Sequence, residues 1–392
     1  MKHKVFMTCL LVIIILTSCA PATSTALPSI IPPIRTTTIV STNTSNLPST
    51  QIAETQTAKL LESYQYSQSY SEDLTPLNRI LGEEAIEKLW FTQSARWWSS
   101  QDQQTAQRIL NLGMNPGLGV RELHAEGITG KDVTVAIIDQ NLILDHPEFQ
   151  GKVVKYHDMG TNQPADVGSM HGPSVTSLLV GNNIGTAPDA KVYYAAVPSW
   201  YLDAQYYADA LDWIIVENKK LPKENKIRVV SVSAIPSGID TEYINSDAWD
   251  AAYKRATEAG ILVLDCTYEH GYTVPCTYDL HDPDNVGKCI PNWGGPTDSP
   301  HKRINIPMSH RSTAIERDNE PIFSYQYDGS GGISWTVPYL SGVLAMGWQI
   351  NPKLTSSQLL DIVYASAYVT DSNMKVINPK AFIDVVRSTT NK

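Results

Sequence analysis

The chain has 392 residues, more than one typical domain, and its 42% hydrophobic and 18% charged residues fit a globular protein. Its formal net charge is −10 and it has no dense cluster of Lys and Arg. These properties argue against nucleic acid as a partner, because phosphate binding needs a basic face. From the length of the chain we expect a large core with an accessory segment.

Residues 1–18 predict an export signal. A short basic start is followed by an apolar run, Val5 to Leu16, that is too short for a comfortable membrane span. The stretch Leu16-Thr17-Ser18-Cys19 resembles a bacterial lipobox, in which the cysteine is lipidated. An ordinary cleavage site with a chance cysteine is the alternative. We expect a protein outside the cytoplasm, anchored to the bacterial cell membrane by a lipid on Cys19.

Two segments precede the main domain. Residues 19–50 are dominated by Ser, Thr, Pro and Ala, and predict a flexible tether. Residues 51–112 predict a helical extension, because apolar residues recur there at three- and four-residue steps. That extension is either a pro-region that folds on the following domain or a helical spacer. The apolar residues concerned are Leu77, Ile80, Leu81, Ala85, Leu89 and Trp90.

From residue 113 to 392 the pattern changes to strands and helices in alternation. The β-branched run Val133 to Ile138 is typical of a strand buried on both faces. Such alternation predicts a mostly parallel sheet covered on both faces, with sites at the carboxyl ends of its strands. The other predicted strands are 192–197, 229–233 and 261–264, and the predicted helices are 172–180, 204–218 and 247–259.

Three residues with complementary chemistry stand at the ends of predicted elements. Asp139 follows the first buried strand, and His171 precedes a helix. Ser334 follows a Gly-rich turn and precedes Pro338, which is tolerated in the first turn of a helix. In nucleophilic acyl transfer a histidine takes the serine proton while a carboxylate orients the imidazole. The three residues are therefore candidates for a catalytic triad, and the alternative for each taken alone is a turn, surface or capping role.

The sequence around each residue resembles the subtilisin-like serine protease family (subtilases, peptidase family S8). The resemblance covers about residues 113 to 386, and the order Asp, His, Ser is that of subtilisin. It implies a three-layer α/β/α fold and a serine endopeptidase. The matching motifs are Val135 to Asp139 with Asp145 to Glu148, His171-Gly172, Gly185 to Val192, and Gly332 to Pro338.

The same resemblance assigns the oxyanion position. Ungapped matching places Glu269 where the family has an asparagine amide that donates to the oxyanion. An ionised carboxylate donates no hydrogen bond, whereas a desolvated carboxyl can stay neutral and donate. Thr267 or His270 is the alternative donor. Other departures from the family pattern are Gln140, Asn141, Pro173, Ser174, Ile333 and Trp335.

Substrate binding is predicted at residues 231–238, which resemble the family strand that pairs with the substrate backbone. Ser233, Ala234 and Ile235 are the candidate contacts, and an ordinary sheet strand is the alternative. We expect no required cofactor and no metal site. An oxygen-rich loop could bind Ca²⁺, although a solvated turn is the preferred interpretation. That loop contains Asp279, His281, Asp282 and Asp284.

Three cysteines remain outside the predicted signal and lipid site. Export permits disulfides, and Cys276 can pair with Cys289 or with Cys266. The third cysteine then stays free or pairs between chains.

The predicted function is hydrolysis of peptide bonds in protein or peptide substrates. The alternatives are a catalytically impaired peptide-binding or regulatory module, and a narrow-specificity peptide-maturation protease. The sequence sets no oligomeric state.

Overall fold

The computed structural model of the protein describes residues 58–61, 71–163, 167–238, 241–292, 302–317 and 322–390. The predicted signal, the tether and Cys19 lie outside the described residues. Within those residues, no helix combines the length and the apolar character needed to cross a membrane.

Strands and helices alternate along most of the described chain. The strands are β1 (Ser71–Asp73), β2 (Trp90–Arg96), β3 (Thr134–Asp139), β4 (Val153–Asp158), β5 (Lys191–Ala196), β6 (Ile227–Val232), β7 (Leu262–Leu264), β8 (Thr273–Thr277), β9 (Ile290–Pro291), β10 (Ile304–Pro307), β11 (Arg311–Glu316), β12 (Phe323–Asp328), β13 (Tyr368–Val369) and β14 (Lys375–Val376). The helices are α1 (58–61), α2 (Glu83–Ile86), α3 (Ser100–Leu112), α4 (Val120–Ala125), α5 (His171–Val180), α6 (Ala204–Lys220), α7 (Ser246–Glu258), α8 (Thr336–Ile350), α9 (Ser356–Ala365) and α10 (Pro379–Ser388).

The central sheet has the strand order β4-β5-β3-β6-β7, and every pair in it is parallel. Successive side chains of a strand point to opposite faces. Val135 and Ile137 of β3 therefore pack with α5 and α8 in one core, whereas Ala136 and Ile138 pack with α6 and α7 in another. All four side chains are buried. The predicted three-layer α/β/α fold with a mostly parallel sheet is confirmed.

Residues 71–112 do not form the helical extension that their periodicity predicts. They contain strands β1 and β2 as well as helices α2 and α3. Strand β2 pairs in parallel with β1 and antiparallel with β12, in a sheet of order β1-β2-β12-β11. The helical prediction failed at Trp90 because pairing with a distant strand outweighs local periodicity.

A third sheet, of order β13-β14-β10-β8-β9, lies towards the C-terminal half of the chain. Its β8–β9 hairpin is closed by a disulfide between Cys276 and Cys289. Cys266 is buried with a free thiol. The structure thus selects one of the two pairings that the sequence leaves open.

Candidate active site

Asp139 and His171 meet at the carboxyl end of the central sheet. Asp139 is the last residue of β3 and His171 the first residue of α5. The Nδ1 atom of His171 lies 2.7 Å from the Oδ1 atom of Asp139. Because a carboxylate only accepts hydrogen bonds, Nδ1 carries the proton and Nε2 is left as the basic nitrogen. Asp139 is buried, at 4% exposure.

Two loops bring these residues together. The Asn141 side chain donates to the Val167 carbonyl at 2.5 Å, and the Ser169 hydroxyl donates to the Asn141 carbonyl at 2.8 Å. A Cβ atom on Gly172 would lie 2.5 Å from the Gln140 carbonyl oxygen. Glycine therefore permits the start of α5 to approach the loop that follows β3.

The electrostatics of His171 favour its protonated form. Burial lowers the pKa of His171, but the charge of the Asp139 carboxylate and the hydrogen bond to it raise that pKa by more. The pKa of His171 is therefore above its ordinary value. A carboxylate in this position stabilises the imidazolium that general-base catalysis generates.

Ser334 lies on a turn between β12 and α8. The Asp328 side chain, at the end of β12, accepts hydrogen bonds from the Ser330 and Gly331 amides at 3.1 and 2.8 Å. Gly331 has φ of +69°. Ser334 follows in a 3-10 turn, Ile333–Trp335, directly before α8. Its position at a helix N-terminus favours developing negative charge.

The turn that begins at Asp328 and carries Ser334, called the nucleophile turn below because Ser334 is the candidate nucleophile, packs on His171 through Trp335. The two rings are stacked, with centroids 5.5 Å apart and an interplanar angle of 29°. The Ser334 hydroxyl donates to the Ser233 carbonyl over a long 3.4 Å, and the hydrogen bonds of the described residues include none between Ser334 and His171. Catalytic hydrogen bonds are often loose in free enzymes and tighten with substrate.

Two of the predicted oxyanion donors are engaged elsewhere. The Thr267 hydroxyl donates to Asp265 at 2.7 Å, and Nδ1 of His270 lies 3.3 Å from the same carboxylate. The His270 ring is also stacked on Tyr253, with centroids 3.8 Å apart. These contacts favour neither residue as an oxyanion donor, and their roles stay predictions.

Glu269 lies against the segment predicted to bind substrate. A Cβ atom on Gly238 would fall 2.3 Å from the Oε2 atom of Glu269. That oxygen is buried, and within the described part of the chain it has no hydrogen-bond partner. A buried, unpartnered carboxylate oxygen is unfavourable.

Of the candidate substrate contacts, Ser233 lies against Ser334. The Ser233 hydroxyl donates to the Ser334 carbonyl at 2.8 Å. Further along, the Ala234 carbonyl accepts from the Cys266 amide at 3.0 Å, and the Ile235 carbonyl accepts from Thr241 at 2.6 Å. Both carbonyls therefore already bind within the chain.

One acid–histidine cluster has the composition of a metal site. Potential ligand atoms of Glu83, Glu87 and His281 lie within 4.8 Å of one another. His281 is 2.7 Å from Glu87, and Arg108 is 2.5 Å from Glu83. The Arg108–Glu83 ion pair and the His281–Glu87 hydrogen bond thus give these side chains partners within the chain. In the loop considered for Ca²⁺, Lys288 lies 3.1 Å from Asp279 and 2.8 Å from Asp282.

Glu316 supports the site without having been predicted from the sequence. Its Oε2 atom accepts from the Ile143 amide at 2.9 Å, and its own amide donates to the Ser169 carbonyl at 3.3 Å. Glu316 therefore joins the loop after Asp139 to the loop before His171. Its position on β11, far along the chain, carries no local signal of this role.

Known proteins similar to this chain are subtilases. Residues 130–293 match the model of the subtilase family, Peptidase_S8. The chain is 23% identical over 287 residues to subtilisin-like protease PopC of Myxococcus xanthus, covering 64% of this chain and 58% of PopC. It is 23% identical over 260 residues to subtilisin E of Bacillus subtilis, covering 62% of this chain and 63% of subtilisin E. The matched part thus spans less than two thirds of either relative.

Among solved structures, the chain resembles one titled "Structural basis of subtilase cytotoxin SubAB assembly", with a TM-score of 0.50 and 15% sequence identity. The likeness covers 70% of this chain and 96% of the other and concerns the fold alone. The family model includes Asp139 and His171 and ends before Ser334.

Proposed function

Residues 130–293 of this chain form a subtilase-family domain, and on that premise we propose that the protein is a serine endopeptidase acting on protein or peptide substrates. Asp139, His171 and Ser334 are its catalytic residues. The contact that carries the proposal is the 2.7 Å hydrogen bond between His171 and Asp139, with Trp335, the neighbour of Ser334, stacked on the same imidazole.

The reaction proceeds through an acyl-enzyme. The Ser334 hydroxyl gives its proton to Nε2 of His171 as its oxygen attacks the peptide carbonyl. The imidazolium, stabilised by Asp139, then protonates the leaving amine, and the peptide bond breaks. Water next attacks the ester formed on Ser334, and His171 takes its proton. His171 then passes that proton to the Ser334 oxygen as the ester bond breaks and the carboxylic acid product leaves. The N-terminus of α8 favours the negative charge that develops on the carbonyl oxygen.

A fluorophosphonate probe tests this proposal. We expect it to label the wild-type protein at Ser334, as shown by peptide mapping, and we expect Ser334→Ala to abolish both labelling and peptide hydrolysis. Ser330→Ala is the matched control, because Ser330 is exposed on the same turn and contributes its backbone amide to Asp328. Hydrolysis that persists in Ser334→Ala would contradict the assignment.

A second function is favoured by one observation. Glu269 stands at the position of the family's oxyanion donor, and its unpartnered Oε2 atom lies against Gly238. A charged Glu269 would repel an oxyanion, and losing one such donor typically costs about 10²–10³ in rate. The protein would then be a catalytically impaired module that acts by binding peptides. Peptide binding without fluorophosphonate labelling, in a folded protein, identifies this case.

The membrane anchor is a separate part of the proposal. Leu16-Thr17-Ser18-Cys19 supports lipidation of Cys19 and retention on the outer face of the bacterial cell membrane. One acyl chain binds a membrane only marginally, so stable anchoring needs more than one.

A further inference from the structure

Strand β2 lies inside the sheet that leads to the nucleophile. It pairs with β12 in the register Thr92–Gln326, Phe91–Tyr327 and Trp90–Asp328. Beyond the strand, the Gly329 amide donates to the Leu89 carbonyl at 3.0 Å. Asp328 and Gly329 begin the turn that carries Ser334. The segment 71–112 therefore holds the start of the nucleophile turn through backbone hydrogen bonds.

The segment shares an apolar core with the rest of the domain. Removing it would expose apolar surface on β12 and on the loop after β8. Each Å² of apolar surface returned to water would lower the free energy of unfolding by about 25 cal/mol. The core consists of Leu74, Leu77, Leu81, Ile86, Leu89, Phe91, Ala95, Ala106, Ile109 and Leu110 from the segment, with Leu280 and Tyr327.

The junction that follows the segment is buried. Gly113, Pro116 and Leu118 are enclosed by the domain. The Ser312 hydroxyl donates to the Leu110 carbonyl at 2.6 Å, and its amide donates to the Gly113 carbonyl at 2.9 Å. Proteolytic processing takes place at exposed, mobile chain. The folded protein offers no such chain at residues 113–119.

A buried polar chain runs from the segment to the helix of His171. The Trp90 indole N–H donates to Gln326 at 2.8 Å. The side-chain nitrogen of Gln326, Nε2, then donates to the Ser174 hydroxyl at 3.1 Å, and that hydroxyl donates to the Met170 carbonyl at 2.8 Å. Met170 immediately precedes His171, and Ser174 lies one turn after it. Gln326 and Ser174 are fully buried, where such networks fix geometry strongly.

We propose that residues 71–112 are a permanent part of the catalytic unit rather than a removable pro-region, and that Trp90 is a positioning residue for both His171 and Ser334. This inference rests on the proposed peptidase function. Trp90 acts through Gln326, since Gln326 joins the strand that leads to Ser334 with the helix that begins at His171.

The first experiment measures what the mature protein contains. The 392-residue chain is expressed with its predicted export signal and exposed to the fluorophosphonate probe. Its labelled and unlabelled forms are then analysed by intact mass and peptide mapping. We expect residues 71–112 in the mature protein. A mature protein that begins at or after residue 113 overturns the inference. Absence of labelling contradicts the proposed function, but the mass still decides whether the segment is retained.

The second experiment tests the role of Trp90. We expect Trp90→Phe, which keeps an aromatic ring but leaves the Gln326 oxygen unpartnered, to lower kcat about five- to tenfold with KM changed less than about twofold. Active-site titration with the probe gives kcat per labelled site. A purely structural role would lower the labelled fraction and leave kcat per site unchanged, and that result overturns the positioning role.

Trp98→Phe is the matched control, because Trp98 is 53% exposed in the same segment. Its kcat and KM are expected to equal those of the wild type. If Trp90→Phe does not accumulate as a folded protein, Ser174→Ala interrupts the same chain at its other end. A Ser174→Ala variant with unchanged kcat per site would equally overturn the positioning role.

Discussion

His171 is the residue whose protonation governs the proposed reaction. General-base catalysis needs the neutral imidazole, so kcat/KM should rise with pH as His171 loses its proton. Burial lowers the pKa of His171, but the Asp139 carboxylate raises it by more, and the net direction is upward. The rise in kcat/KM should therefore be centred above about 6.5, the ordinary pKa of histidine.

Asp139→Asn tests this electrostatic role. Removing the negative charge should move the midpoint of the kcat/KM profile to lower pH and reduce the plateau by roughly 10⁴, since the imidazole then loses its tautomer control. The measurement is the pH profile of peptide hydrolysis. Asp145→Asn changes an exposed carboxylate on the following loop and should leave the profile unchanged. A midpoint that does not move in Asp139→Asn would count against this role.

The site residues that could be predicted from the sequence are those whose adjacent residues form a recognisable motif. Asp139 and His171 each stand at the end of a recognisable element, and the structure places them in contact. Trp335 was visible only as a departure from the family pattern. Its stacking on His171 depends on how the nucleophile turn meets α5, which no local pattern specifies.

At the scale of elements, strand β11 stabilises the loop after Asp139 and the loop before His171. Glu316 on this strand is buried, and burial raises its pKa to about 8, against an ordinary 4.5. Between these values the folded protein holds a proton that the unfolded chain has released. Stability should therefore fall as pH rises through this window, by at most about 1.4 kcal/mol per pH unit.

Glu316→Gln removes this proton linkage and keeps an acceptor for the Ile143 amide. We expect the variant to have a higher Tm than its parent near pH 8, and a smaller decline in Tm from pH 5 to pH 8. Thermal unfolding should be measured in the Ser334→Ala background, which prevents self-digestion. Glu224→Gln, at an exposed site, should reproduce the decline of its parent. If Tm declines from pH 5 to pH 8 as much in Glu316→Gln as in its parent, Glu316 is not the source of the decline.

The elements of the central sheet followed from the sequence more fully than those of the N-terminal segment. The buried strand predicted at 133–138 corresponds to β3, Thr134–Asp139. It could be recognised because a parallel strand covered on both faces is a nearly continuous apolar run. Strand β2 is half polar, with the sequence Trp-Phe-Thr-Gln-Ser-Ala-Arg and no simple alternation. What makes it a strand is β12, more than two hundred positions away.

At the scale of the whole molecule, the proposed anchor determines where peptidase activity would operate. Metabolic labelling with an alkyne fatty acid should label the wild-type protein. The labelled protein should be found in the membrane fraction. Cys19→Ala should be unlabelled. Cys9→Ser changes a cysteine inside the predicted signal and should be labelled as the wild type is. Labelling that survives in Cys19→Ala, or a wild-type protein that takes up no label, would contradict the anchor.

The pairing of Trp90 with Gln326 spans 236 positions of the chain. Strand β2 is synthesised early and can pair with β12 only after most of the chain has been made. Such non-local pairing is slow to form. The nucleophile turn gains its neighbouring strand only at that late step. Folding order would then delay activity: the chain would gain the ability to cut other proteins only when β2 and β12 pair late in folding, without removal of residues 71–112.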